Sequence, residues 1–242
     1  MPRETLTREQ IVRVAIDLLD GEGPEGLNMR ALGARLGSAA TAVYWHVGSK
    51  DTLVALAADR VWHEITLPDL NPASGWRPAA TAMATSLHAM LTRHPWLVQL
   101  FGSQPLYGTG KARHDDHSLA IYDSAGFTPA QAAQAAATVF TYLLGHALGA
   151  AATAALRRRL ARDGPDGERA ARDSLAGAVE IASQFPRLRA RLQTADADYG
   201  AAPEGSFEFG LRAILDGLEA RLAATHAVSG QSPRPVPGAD HL

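Results

Sequence analysis

Cysteine is missing from all 242 residues, which excludes disulfides, thiolate metal ligands and a cysteine nucleophile. Lysine occurs only at Lys50 and Lys111, so arginine carries the remaining positive charge. With 23 basic and 25 acidic residues the net charge is −2, so no bulk basic field draws the chain to nucleic acid. Any such binding needs a local constellation. No charged segment followed by an apolar run opens the sequence, which argues against a signal peptide. No stretch approaches 18 consecutive apolar residues. The nearest, Ala130 to Leu156, is interrupted by Gln131, Gln134, Thr138, Thr141, His146 and Thr153. A cytoplasmic protein with no membrane partner is expected. Aromatics are only 6% against 46% hydrophobic residues rich in alanine, a balance that favours close-packed helices over sheet. Catalytic signatures are absent as well: no Gly-x-Ser-x-Gly, no phosphate-loop glycine pattern and no His-Glu-x-x-His. An enzyme is not expected, nor a cofactor.

What is present reads as helix throughout. Thr7 and Gln10 have capping-box spacing, with Leu6 and Ile11 at the positions of a hydrophobic staple. Ile11, Ala15, Leu18 and Leu19 then form one apolar face, and Gly21 to Pro24 ends the helix. Asn28 caps a short helix to Leu36. Ser38 opens another over 39–46, and Ser49 caps a fourth that carries the stripe Leu53, Leu56, Ala57, Val61 and Ile65. Pro68 to Gly75 reads as a boundary. Beyond it the pattern predicts helices at 76–93, 95–101, 107–125, 128–160, 168–184 and 205–225. Thr128-Pro129-Ala130-Gln131 supplies a cap, an N1 proline and a capping-box Gln. From Ser229 onward Pro and Gly dominate without an apolar period, which predicts a disordered tail over 229–242. The expected fold is all-α: a small helical domain over 1–66 and a larger helical domain over 67–228.

Two short helices joined through Leu36-Gly37-Ser38 have the geometry of a helix-turn-helix. Ala31, Leu32, Leu36, Ala42 and Val43 are apolar at core spacing. Ala39, Ala40, Thr41, Tyr44 and His46 are left for the outer face, small at its leading end and so able to approach base edges. Tyr44, His46 and Lys50 can donate to phosphates. Trp45 reads as core, wedging the third helix against the first.

The stretch Thr41-Ala42-Val43-Tyr44-Trp45-His46-Val47-Gly48-Ser49-Lys50-Asp51-Thr52-Leu53 resembles the signature of the TetR family of bacterial regulators. Gly26 to Gly37 fits as well, and by resemblance Arg30 contacts DNA. Gly126-Phe127-Thr128, Tyr142-Leu143-Leu144-Gly145 and Phe207-Glu208-Phe209-Gly210-Leu211 resemble the effector domain of the tetracycline-repressor branch. The resemblance covers roughly residues 5–225. It implies a repressor that binds a palindromic double-stranded operator as a homodimer and is released by a small molecule. It also implies a dimer interface of four helices, 128–160 and 205–225 with their twins. Gly145, Gly149, Gly210 and Gly217 there permit close approach.

The departures from that branch are specific. Ala40 and Thr41 stand where its members carry Gln and Pro, so a bidentate contact to adenine is lost and the operator should differ. Leu100 replaces a metal-binding His and Gly149 an acidic residue of the same site, which argues against a metal-chelated effector such as tetracycline. By resemblance the effector site draws on Met83, Leu87, Leu100, Gln104, Pro105, His117 and Tyr142, a mostly apolar wall suited to an apolar or aromatic molecule. His114 and His117 have a spacing able to hold a metal, yet no third ligand lies nearby in sequence, so no metal site is expected. His88, Tyr142 and His146 read as satisfied buried polar groups. A scaffold that binds a protein partner is the competing reading, favoured if the effector chamber proves collapsed.

Overall fold

A computed structural model describes residues 6–71, 73, 75–192 and 205–229. The helices run in the order α1 (Arg8–Gly26), α2 (Met29–Arg35), α3 (Ala40–Val47), α4 (Lys50–Trp62), α5 (Trp76–Arg93), α6 (Pro95–Leu100), α7 (Thr109–Ser124), α8 (Pro129–Ser183), α9 (Pro186–Leu192) and α10 (Ser206–Ser229). No strand occurs among the described residues, so the fold is all-α. The tail expected to be disordered falls, from residue 230 on, outside the described residues.

Local chemistry explains most boundaries. Thr7 Oγ1 accepts from the Gln10 amide at 3.2 Å while Gln10 Oε1 accepts from the Thr7 amide at 2.9 Å, the reciprocal bonds of a capping box. Asn28, Ser49 and Thr128 cap α2, α4 and α8 through their side chains. Ser38 does not cap α3. Ala39 holds that position without a side-chain bond, so the helix starts one residue late, at Ala40.

Three elements differ from expectation. α1 continues past its predicted stop to Gly26, but Gly23 takes φ 76° and breaks the regular spiral there. The two helices expected at 128–160 and 168–184 are joined, because the intervening loop shrinks to Gly164 at φ 61° and Pro165 restarts the helix at once. Helix α9 escaped the periodicity reading because it buries no residue and so has no apolar face to detect.

Helices α1–α4 close over Ile11, Ala15, Leu18, Leu32, Val43 and Leu53, all of them completely buried. Each of the Leu, Ile and Val side chains contributes about 1.5–3 kcal/mol. In the helix-turn-helix the backbone itself comes close. The Ser38 amide donates to the Gly33 carbonyl at 2.9 Å, and a Cβ on Gly33 would lie 2.7 Å from the Ser38 carbonyl oxygen. Gly37 turns at φ 61°, a left-handed conformation that side chains disfavour. These two glycines let α2 and α3 meet.

In the second half α5, α6 and α7 pack on the first part of α8, burying Met83, Leu87, Trp96, Ile121, Leu143 and Ala147, and α10 packs against the same helix. By length and composition α8 is the one helix among the described residues apolar enough to cross a membrane, yet only 22% of its most apolar window is buried. Leu148, Leu156 and, on α10, Phe209 are exposed.

The halves meet at a polar junction. Asp20 of α1 accepts from His94 Nδ1 at 2.8 Å and from Trp96 Nε1 at 2.7 Å. Glu64, just after α4, accepts from His94 Nε2 at 3.2 Å and from Arg93 at 2.6 Å. Burial pulls the His94 imidazolium down, but hydrogen bonds and charge from Asp20 and Glu64 outweigh it and hold the pKa above the ordinary histidine value. A carboxylate lies at each ring nitrogen, so the charged form of His94 can donate on both sides.

Candidate DNA-binding surface and effector pocket

Helix α3 presents the outward face that the sequence predicts. Arg30, Ala39, Thr41, Tyr44 and Lys50 are exposed, while Ala40 and His46 are half-buried at its edge. Val43 and Val47 turn inward and fix the helix on α1 and α4. The small Ala39, Ala40 and Thr41 lead the face, leaving backbone close to whatever lies against it. Lys50 Nζ donates to the Pro24 carbonyl at 3.1 Å, so its ammonium is tied to the end of α1. Neighbouring Arg35 pairs with Glu22 at 2.6 Å.

Trp45 contradicts the core reading. Its side chain is 84% exposed, beside Tyr44 at 47%, and its ring meets His46 edge to face at 5.1 Å. The register of α3 gives the reason: Val43 and Val47 take the inward positions four apart, so Trp45 between them points away. An exposed indole enlarges the apolar part of this surface. The spacing of Val43 and Val47 carries this outward register in the sequence, whereas the size of the indole carries no information on burial.

Behind this module α4 is fastened to α7. Asp59 accepts from the Gly110 amide at 2.6 Å and from the Thr109 hydroxyl at 3.1 Å, satisfying one of the free amides at the start of α7. Trp62, the last residue of α4, is 1% exposed and packs against Phe101, His114 and Phe140. Its Nε1–H is buried without a hydrogen-bond partner. Leaving such a donor unpaired costs about 1–3 kcal/mol.

A cavity of about 20 Å³ lies between α5, α7 and α8, walled by Met83, Leu87, Ile121, Tyr122, Phe140 and Leu143 among others. That is room for roughly one water. Burial pushes the Tyr122 hydroxyl up to about 12, so it stays neutral. Of the expected effector residues only Met83 and Leu87 line this cavity. Leu100 is buried in α6, and Gln104 and Pro105 belong to the turn that follows. His117 Nε2 bonds the Pro68 carbonyl at 2.8 Å, and the Tyr142 hydroxyl donates to the carbonyls of Ser206 and Phe207, both at 3.0 Å. Burial and, second, the charge of Glu208 raise the Tyr142 pKa.

Other polar groups in this half are also paired inward. His88 and His146 bond at 3.1 Å, His146 reaches Ser206 Oγ at 3.1 Å, and burial followed by the neighbouring imidazole lowers the His88 pKa. His114 is buried on Trp62 and bonds Asp115 at 3.2 Å, while His117 turns to Pro68, so the two do not share one ligand. Among the described residues no group of three metal-ligating side chains assembles. Lys111 is inward too. Its ammonium bonds both Asp115 oxygens at 2.8 and 2.7 Å and sits 4.8–5.4 Å from the ring centres of Trp62, Tyr107 and Phe140. Burial pushes the Asp115 carboxyl up, but bonds from His114 and Lys111 hold it below the usual carboxylate value. The sequence analysis missed this cluster, since no motif joins Trp62 to Lys111.

Comparison with known proteins adds two family matches: residues 11–57 match the bacterial regulatory proteins of the tetR family, and residues 67–222 the tetracyclin repressor-like C-terminal domain. The transcriptional repressor DrrR1 of Streptomyces coeruleorubidus is 32% identical over 234 residues, covering 92% of this chain and 80% of its own. An HTH-type transcriptional regulator of Saccharopolyspora erythraea is 37% identical over 140 residues, and this chain spans only 59% of that protein's length. Among solved structures, ActR of Streptomyces coelicolor in complex with actinorhodin superposes with a TM-score of 0.66 at 27% identity, covering 90% of this chain and 99% of that one.

Proposed function

The chain belongs to the TetR family of bacterial regulators, and we propose that it is a cytoplasmic homodimeric repressor released from a palindromic operator by an apolar or aromatic small molecule, without a metal. The observation that carries this reading is the continuous linkage from an exposed recognition face, through α4, to helices that wall a cavity. Residues 1–66 form the DNA-binding domain and 67–228 the effector and dimerisation domain. Thr41, with Ala39 and Ala40, faces base edges. Arg30, Tyr44, His46 and Lys50 hold the phosphates, Lys50 exchanging the Pro24 carbonyl for a phosphate oxygen.

Dimerisation covers Leu148, Leu156 and Phe209, apolar side chains otherwise left in water. Two-fold symmetry then sets the two α3 helices in successive major grooves, about 34–36 Å apart. An effector acts by favouring a conformation in which that spacing is lost. A preference of about 100-fold supplies roughly 2.7 kcal/mol per site. Repression accords with DrrR1 being named a repressor, and the complex of ActR with actinorhodin supports a small-molecule effector. Met83 and Leu87 line the cavity and form its effector wall. His117 on α7, Tyr142 on α8, and Leu100, Gln104 and Pro105 in and after α6 stand off the cavity and take part only if the helices separate.

The near-closed cavity is the feature that favours a protein-binding scaffold, but that reading leaves the exposed α3 face without a role. Gel shift on DNA flanking the gene, with light scattering of the free protein, tests the proposal. A dimer that shifts a palindromic fragment is expected. A stable monomer at micromolar concentration, or no shift, would sink it. Release that needs magnesium and vanishes with chelator would restore a tetracycline-like effector.

A further inference from the structure

The polar groups around Trp62 are not balanced. Trp62 Nε1–H is a buried donor with no partner. Next to the same ring, Lys111 has three N–H donors, of which the two Asp115 oxygens take two. The spare capacity here is donor capacity. What would complete the set is an acceptor, and an anionic one gains most from the ammonium. A cationic ligand is disfavoured, because the aromatic faces of Trp62, Tyr107 and Phe140 already hold the Lys111 ammonium.

This polar corner adjoins the apolar cavity. His114 and Phe140 touch the Trp62 ring and also line the cavity, whose other walls include Met83, Leu87 and Leu143. We propose that the effector is an aromatic molecule bearing an ionised oxygen, a phenolate or enolate, and that this oxygen accepts from Trp62 Nε1 beside Lys111 while the ring system enters between α5, α7 and α8. The proposal rests on the effector-released reading above and names the chemistry of its ligand. At about 20 Å³ the cavity must widen to admit a ring. Among its walls the unbranched Met83 side chain is the one best able to yield. Because Trp62 closes α4 and Asp59 one turn earlier holds the start of α7, a ligand bonded to Trp62 acts directly on the helix behind the recognition module.

The test uses the full-length protein on its operator, with hydroxynaphthoquinone, whose enol is ionised at neutral pH, against the parent naphthoquinone. The absence of cysteine removes the usual side reaction of the quinone. Release by the hydroxylated probe is expected at concentrations about tenfold or more below those the parent needs. In spectra of protein labelled with ¹⁵N in its indoles, the Trp62 N–H resonance, assigned by its loss in Trp62→Phe, should move downfield with that probe alone. Lys111→Met, on a different helix, should raise the releasing concentration of the hydroxylated probe about tenfold and so close the gap in potency between the two probes; it carries the test if Trp62→Phe fails to fold.

Equal potency of the two probes overturns the oxygen-reading site and leaves the effector-released regulator standing. So does release with an unmoved Trp62 resonance. Failure of both probes to release a protein that does bind its operator overturns the ligand class. Failure of the protein to bind operator at all is a failure of the function proposed above, and it is seen before any probe is added.

Discussion

The two halves of the molecule place their polar chemistry on opposite sides of the chain. In α1–α4 the core is apolar, and the groups able to bond a partner, Arg30, Thr41, Tyr44 and Lys50, stand on the surface. From α5 onward polar groups turn inward and bond one another: His88 with His146, Tyr142 with the Ser206 carbonyl, Lys111 with Asp115. A surface face binds a partner as it stands. An internal network has first to be rearranged, which makes it suited to responding to a ligand. The difference separates a reader of DNA from a device that can be reset.

The largest effect tests the apolar half. Leu32 is completely buried under the helix-turn-helix, and Leu32→Ala should cost about 2–5 kcal/mol. Calorimetry should show the loss, and operator binding should fail with it. An equally large loss from Tyr142→Phe, which removes only a half-buried hydroxyl, would mean that the inward polar bonds and not the core dominate stability.

This division also sets what the sequence made legible. The DNA-binding module rests on local signals: caps at Thr7, Asn28 and Ser49, and a turn at Gly37, each completed within a few residues. The outward face could be named for the same reason, apart from Trp45. The second half depends on partners far apart in the chain. Asp20 meets His94 and Trp96 from 74 and 76 residues away, and Lys111 reaches the ring of Trp62 only because α4 and α7 pack together. Periodicity places the helices but cannot say which buried donors share an acceptor. Five of seven effector residues expected by resemblance consequently stand off the cavity that the packing leaves.

The junction between the halves gives the next effect. Asp20→Ala strands two donors, His94 Nδ1 and Trp96 Nε1, in a buried setting, so a loss of about 1–3 kcal/mol for each is expected. Asp20→Asn should retain part of it by accepting from Trp96. If Asp20→Ala is silent in thermal unfolding, its two bonds add nothing to the packing that joins the halves.

The same junction should make stability depend on pH, by a smaller amount. His94 has a folded pKa above its unfolded value near 6.5. Its contribution is therefore full below that value and is lost as pH rises through the folded pKa. Wild-type protein should lose stability relative to His94→Gln as pH is raised from 6 towards neutrality and beyond, with the variant's profile flatter over that window. Measurement of both unfolding midpoints across the range decides it. A variant that gains on wild type as pH falls would reverse the assignment.

The smallest effects separate the two kinds of contact on the surface face. Lys50 is exposed and bonded only to the Pro24 carbonyl at 3.1 Å, a bond that a phosphate can replace. A phosphate contact carries charge but no sequence information, so Lys50→Ala should weaken binding by a similar factor on every DNA and lower the slope of log affinity against log salt by about 1. Thr41 offers a hydroxyl and a methyl near the start of α3, between alanines too small to hold it back from a base edge. Thr41→Ala should leave the salt slope unchanged and relax preference at one base pair, a change of about 1–3 kcal/mol between the best and next-best base at that step and nothing elsewhere. Titrations of both variants on a set of single-base operator changes, each at several salt concentrations, separate charge from readout. If Lys50→Ala changed the preferred base while Thr41→Ala changed only the salt slope, α3 would lie in the groove with its other end leading. Trp45, exposed near that other end beside His46, would then be the side chain at the bases.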